Sequence, residues 1–398
     1  MSLQKSLRAH GEPATKLPLD RLLAEAIERG AGMVHIEPEA TRAAVRVRAD
    51  LQLQRFQNIT REDYFVLWQN IADRFGAVRP EPFFEGSFPF QHDGLAWLIR
   101  VSMVPTPHGD SIALKINNRE TKVLPLDRLG LADHDLARLR AVLSRTRGLV
   151  LVAGPSGSGG TTTLLSALSS LADGVRKILS IEDPIEVHLE GVQQIQVKVM
   201  REYPERSVTF ARALRATAMQ NPDVIAIGKL RDAETANTAM QAALSGALVL
   251  SRLHAPGAAL AITRLQALGG DRHLLADCLR AVVAQALLRR NCPDCVAPLE
   301  TEPAGLDAEP AADRAALVAA ARQGRGCPAC HGTGARGVLP VFELMPVEGE
   351  IARAVAANAT ASAIQDLRTR DGHESLEQAA RRHVLTGAVP LSEYLKLL

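Results

Sequence analysis

The segment Gly148–Ala153, Gly-Leu-Val-Leu-Val-Ala, is almost wholly apolar and runs directly into Gly154-Pro155-Ser156-Gly157-Ser158-Gly159-Gly160 and then Thr161-Thr162-Thr163. A short continuous apolar run of this kind reads as a strand buried on both faces, which is a feature of parallel sheets. A glycine-rich turn followed by a helix, expected over Thr161–Ala172, is the order in which backbone N–H groups and a helix N-terminus surround phosphate oxygens. The pattern GxxxxGK[ST] asks for a lysine where Gly160 stands, whereas Thr161, the magnesium-side hydroxyl, is in place. The absent ammonium removes a charge-assisted hydrogen bond worth about 1.5–3 kcal/mol. It also removes a cation that neutralises charge developing in phosphoryl transfer. From this segment alone, a nucleotide loop and a plain Gly-rich strand-to-helix turn stand equally open.

The surrounding pattern supports a doubly wound sheet. Further apolar strands are expected at Lys177–Ile181, Val224–Ile227 and Ala247–Leu250, with helical stretches between them and a helix at Asp133–Ser144. Before this region, Leu17–Gly30 reads as an amphipathic helix, because Leu19, Leu22, Leu23 and Ile27 share a face. Met33–Glu37, Ala43–Arg48, Ala96–Val104 and Ser111–Ile116 read as strands, giving a small α+β domain. The expected organisation is an N-terminal α+β domain over 1–120 and a linker over 121–130, where Pro125 follows a polar stretch. An NTPase domain over 131–285 and a C-terminal region over 286–398 complete it.

Bulk properties exclude some functions. Lys plus Arg number 46 against 44 Asp plus Glu, a formal charge of +2, which gives no electrostatic footprint for nucleic acid. No apolar run reaches the roughly 18 residues that span a bilayer. The first fifteen residues carry Lys5, Arg8, His10 and Glu12 and lack a signal-peptide core, so a cytoplasmic protein is expected.

Of five cysteines, four form the pairs Cys292-Pro-Asp-Cys295 and Cys327-Pro-Ala-Cys330. Two CxxC pairs in a reducing compartment fit a closed, structural zinc site, each pair supplying two thiolates. Cys278 reads as core, and His331 as a surface or outer residue beside the metal.

Four further segments carry a resemblance. They are Ile181-Glu182-Asp183-Pro184-Ile185-Glu186, Asn221-Pro222-Asp223 through Gly228-Lys229-Leu230-Arg231-Asp232, Gln241 through Ala247 to His254, and Ala31–Pro38 with Arg100-Val101-Ser102. Taken with the glycine loop and the cysteine pairs, they resemble, in order, the motifs of the ATPases of type II secretion and type IV pilus assembly over about residues 17 to 398. The resemblance implies a PAS-like N-terminal domain, a RecA-like NTPase domain with a parallel sheet, and a C-terminal zinc-bearing helical subdomain. It further implies ATP/Mg2+ as ligand and a homo- or hetero-oligomeric, usually hexameric, ring with nucleotide between the two large domains. The expected partners are inner-membrane platform components of a secretion or pilus machine and an active paralogous ATPase. The expected location is the cytoplasm or the periphery of the inner membrane. The chain begins close to the N-terminal domain, so the leading docking domain of many relatives is expected either to be absent or to lie outside the given sequence.

The departures from the family pattern fall on chemical positions. Lys229 stands where the family's second motif has a glutamate near the attacking water, and Ala247 and Arg252 replace a histidine and a threonine of the histidine box. A positioned general base contributes about 10²–10⁴-fold and an electrostatic stabiliser about 10²–10³-fold, so strongly reduced or absent hydrolysis is expected. The resemblance carries over Gly154, Pro155, Ser156, Gly157, Ser158, Gly159, Gly160, Thr161 and Thr162 as nucleotide-binding positions. Glu182, Glu186, His254 and Arg100 become the candidate catalytic residues, and Cys292, Cys295, Cys327 and Cys330 the metal ligands. For Lys229 two readings stand: it reaches phosphate in place of the lost lysine, or it pairs with Glu182, Asp183 or Asp223 and closes an empty pocket. For the protein three readings stand: a non-catalytic subunit or regulator, a slow motor using displaced residues, or a nucleotide sensor without turnover.

Overall fold

The computed structural model describes residues 19–75, 83–118, 122–200, 203, 206–307, 309–370 and 372–398. The expected helix residues 17 and 18, the charged leader, residues 119 and 120 at the end of the expected first domain and the first linker residue, 121, lie outside them. The chain divides into two compact units, Met1–Thr121 and Lys122–Leu398.

The first unit contains helix α1 (Leu19–Glu28), strands β1 (Met33–Pro38), β2 (Arg42–Ala49) and β3 (Gln52–Thr60), helix α2 (Arg61–Asp73), and strands β4 (Phe84–His92), β5 (Leu95–Thr106) and β6 (Gly109–Asn118). The strands form one antiparallel sheet in the order β3-β2-β1-β6-β5-β4. Its core follows from alternation: Ala43, Val45 and Val47 of β2 are fully buried, while the residues between them face outward. Leu19, Leu22, Leu23 and Ala26 of α1 close the core from one side. Thr60 caps α2 by accepting from the Asp63 N–H at 3.1 Å.

The second unit is built on seven strands. They are β7 (Gly148–Ala153), β8 (Ile178–Glu182), β9 (Val192–Gln196), β10 (Val224–Ile227), β11 (Leu248–Leu253), β12 (Leu279–Asn291) and, after a small β13/β14 pair (Val296–Pro298, Arg322–Gly324), β15 (Ala335–Pro346). Their order is β15-β12-β7-β11-β10-β8-β9. Six are parallel, but β15 is antiparallel to β12, so the expected all-parallel sheet is in fact mixed. Between β12 and β15 the chain runs through the β13/β14 pair, the helix Ala311–Ala320 and the cysteine turns, and it re-enters the sheet at the end where it left, so β15 runs antiparallel to β12. β12 also runs across position 285, where the sequence suggested a boundary, so the C-terminal region is woven into the same sheet.

Apolar clusters cover both faces. Leu151, Ile225, Val249 and Val282 lie in one, and Val150, Val224, Leu248 and Val283 in the other. Both are roofed by helices, including α3 (Asp133–Leu143), α4 (Gly160–Leu171), α5 (Phe210–Ala218), α6 (Ala233–Leu244), α7 (Ala258–Ala267) and α8 (Arg272–Cys278). This two-sided burial is why β7 is apolar at every position. The loop after β7 therefore emerges at the carboxyl edge of a central strand, where α/β sheets place ligands.

Candidate phosphate-loop and metal sites

Gly154–Gly160 forms a tight turn from β7 into α4. A methyl at Gly154 would lie 2.2 Å from Ser158 Oγ and 2.8 Å from the Gln285 carbonyl oxygen, so the strand can leave the sheet here only as glycine. Gly159 caps α4 in the left-handed region, with φ +87°. Gln285 Nε2, from β12, donates to the Ser158 carbonyl at 2.5 Å and braces the loop from beneath.

Beside position 160, where the loop pattern has a lysine, stands a cation from a neighbouring strand. Arg252 lies on β11 opposite Val152 of β7. Its Nη1 donates to Thr161 Oγ1 at 2.5 Å, and its Nε lies 3.2 Å from where a methyl on Gly160 would sit. The guanidinium thus fills the space above Gly160 that a loop lysine would enter. By motif alone Arg252 is only a replaced threonine, and Lys229 is the residue that suggests a compensating charge. The available signal was the register of two adjacent strands, which brings position 252 beside the loop.

The cavity enclosed by the loop, Lys229, Arg252, Leu253 and His254 is about 10 Å3, room for roughly one water molecule. Magnesium and a triphosphate do not fit this arrangement: Arg252 already holds the metal-side hydroxyl. A neighbouring cavity of about 280 Å3 is lined by Ser156, Lys229, Leu230, Arg231, His254, Arg264 and Leu268. A larger one, about 540 Å3, lies by α3, residues 123–127 and the far half of α4, away from the loop, so its size has no bearing on phosphate chemistry.

Lys229 follows β10 and faces these cavities. Burial, then the positive charges of Arg231, Arg252 and Arg264, hold its ammonium below its ordinary pKa. The ion pair considered for it does not form. Glu182 accepts instead from Ser180 Oγ (2.6 Å) and Gln194 Nε2 (2.8 Å). Asp183 faces Arg231 at 3.7 Å, and Asp223 accepts from the Lys177 N–H at 2.7 Å. Asp232, three residues beyond Lys229, caps α6 through the Thr235 N–H.

Of the candidate catalytic residues, His254 lines the loop cavity, while Glu182 is buried in the β8–β9 network and does not line it. Glu186 lies in the loop after β8 and exerts an attractive charge on Arg252. Arg100 is half-buried on β5 of the first unit, paired in register with Ser87 and Lys115.

The four cysteines of the pairs converge and form no disulfide. Their sulfurs all lie within 4.8 Å of one another, with Cys292–Cys327 at 3.8 Å, Cys295–Cys330 at 3.9 Å and Cys327–Cys330 at 3.7 Å. Four thiolates about 2.3 Å from a tetrahedral ion are about 3.8 Å apart, so the set could hold a metal ion. Burial raises the pKa of the Cys330 thiol, but the N–H groups of Cys327 and Gly334, each 3.2 Å away, together with the Cys327 and Cys295 thiols bring it down to about 6. Cys278 is fully buried in the core, where desolvation pushes its thiol up to about 12.

No helix among the described residues is long and apolar enough to cross a membrane. The family model described as "Type II/IV secretion system protein" matches residues 9–396. Type II secretion system protein E of Pseudomonas aeruginosa is 35% identical over 384 residues, covering 95% of this chain and 74% of that protein. The type IV pilus assembly ATPase PilB of Thermus thermophilus is 31% identical over 386 residues, covering 96% of this chain and 43% of that protein. The X-ray structure of the Legionella pneumophila ATPase DotB shares the fold, with a TM-score of 0.68 at 19% identity and 96% of each chain covered. On sequence and fold together, the chain belongs to the family of type II secretion and type IV pilus assembly ATPases.

Proposed function

We propose that this chain is a catalytically impaired member of the family, acting as a partner subunit or regulator in a type II secretion or type IV pilus machine. One observation carries the reading. Among the described residues, the loop cavity is lined by Lys229, Arg252 and His254 and by no carboxylate. A cation cannot take a proton from water, and the carboxylate that the family motif places near the attacking water has no counterpart there; His254 is the one lining side chain whose neutral form could accept a proton. Glu182 is the nearest alternative by motif, but it is engaged with Ser180 and Gln194. Losing a base alone removes about 10²–10⁴-fold of rate.

The remaining features fit an assembly role. The tetracysteine cluster is read as a structural zinc site that ties β12, β15 and the turns between them. A closed set of four thiolates leaves no open coordination position for catalysis. As the family resemblance implies, a ring, usually of six subunits, is expected, with an active paralogue as neighbour. Membrane platform components would anchor that ring at the inner face of the inner membrane.

A second reading, nucleotide binding without turnover, is favoured by one observation: Lys229 and Arg264 have no carboxylate partner among the described residues, so the pocket mouth is left electropositive. Phosphate release from ATP, measured with the purified chain alone and mixed with an active family paralogue, tests the proposal. No release alone, with altered release by the paralogue, is expected. Release alone at an active relative's rate would end it.

A further inference from the structure

We infer that the guanidinium of Arg252 replaces both cations of the phosphate loop, the lysine and the divalent metal, so that the pocket takes the phosphates of a nucleotide without magnesium. The inference rests on the reading of this pocket as a nucleotide site that does not turn over.

Three observations converge on it. First, Gly160 leaves open the space of the loop side chain, and the stem of Arg252 fills it, with Nε 3.2 Å and Cδ 3.8 Å from a would-be methyl at Gly160. Second, Nη1 donates to Thr161 Oγ1, the hydroxyl that in the GxxxxGK[ST] pattern faces the metal. One guanidinium therefore covers two positions that a lysine and a metal ion would hold separately. Third, that hydrogen bond is the only one its side chain makes among the described residues, and it leaves N–H donors of the guanidinium fork uncommitted. A fixed charge (an arginine in a protein stays protonated) beside N–H groups of a glycine loop is a phosphate receptor in its own right.

The surroundings point the same way. Arg252, Lys229, Arg231 and Arg264 crowd one wall. Against these four cations stand Asp183, 3.7 Å from Arg231, and Glu186, whose charge attracts Arg252. An excess of cations at a pocket whose metal-side hydroxyl is already held by Arg252 is satisfied by an anion arriving bare. The guanidinium must swing from its seat beside the 10 Å3 cavity, since no phosphate enters while it is there. Its bond to a neutral hydroxyl is easily exchanged for a charge-assisted one to phosphate.

The test is calorimetric titration of the full chain with ATP and with ADP, each in magnesium-free buffer without chelator and in millimolar magnesium. Wild type should bind with dissociation constants that differ by less than about 3-fold between the two media. Arg252→Met should bind about 10- to 100-fold more weakly in both, the loss of one charge-assisted contact. Gly160→Lys combined with Arg252→Thr should recover binding in magnesium only. Wild-type affinity that rises tenfold or more with magnesium would overturn the inference. So would Arg252→Met binding as tightly or more tightly, which makes the arginine a plug, or a double variant indifferent to magnesium. Absence of wild-type binding in either medium also overturns it, and the wild-type arm needs no variant to fold. Phosphate release in the same samples reports separately on turnover: metal-independent binding with rapid release would keep the inference and sink the reading of impaired catalysis.

Discussion

Arg252 of β11 donates a 2.5 Å hydrogen bond to Thr161 of α4, 91 positions away, and in doing so places a guanidinium over Gly160. The loop has therefore lost its own lysine without losing positive charge. The same wall carries Lys229, whose ammonium burial and three arginines make easier to deprotonate. The loop cavity is lined by these two basic side chains and His254, and by no carboxylate.

Lys229 should destabilise the fold at neutral pH. Its pKa is depressed in the folded chain, so the unfolded chain holds this proton more tightly. The penalty is complete below the folded pKa and fades as pH climbs from there toward the ordinary value of 10.5. Lys229→Met should raise the melting temperature in low-salt buffer at pH 7, with a gain that shrinks by about pH 10. A gain independent of pH, or a loss, would show that the ammonium is favourably paired.

Arg368 and Glu343 form an ion pair, Nε to Oε1 at 3.4 Å, with side chains only 1% and 3% exposed. Burial raises the Glu343 pKa, and Arg368 is the largest influence opposing it. Arg368 also donates to the carbonyls of His373 and Glu374 at 3.0 and 2.8 Å. Removing it leaves a buried carboxylate without its counter-charge, held only by the N–H groups of Leu376 and Ala258, and two carbonyls unmet. Arg368→Met should cost about 3–5 kcal/mol in urea unfolding, and adding Glu343→Gln should return part of that. A cost below about 1 kcal/mol would contradict this account of the pair.

The cysteine cluster should carry one zinc ion per chain by elemental analysis. Cys327→Ser should abolish it and expose the turns around 292–334 to proteolysis while the first unit's fold persists. Full occupancy in the variant, or no metal in the wild type, would remove the structural-zinc reading.

Legibility followed physical contrast. β7 was readable because two-sided burial forces apolar residues at every position, and α1 because Leu19, Leu22 and Leu23 repeat at helical spacing. β3, Gln52–Thr60, and β9, Val192–Gln196, were missed, since their mostly half-exposed faces are rich in glutamine and show little alternation. The four cysteines declared themselves by spacing. The role of Arg252 did not, because it depends on the register of β11 against β7, a pairing that a linear reading of motifs does not contain.

The central claim is that Gly160, Lys229 and Arg252 together silence hydrolysis. Its most direct test is the ATP turnover of the wild type beside the variant Gly160→Lys, Lys229→Glu, Arg252→Thr, in magnesium and at matched oligomeric state. Restoring the lysine and the base should raise turnover at least about 10²-fold over a wild type indistinguishable from buffer. A wild type that already hydrolyses ATP briskly, with no gain in the variant, would contradict it.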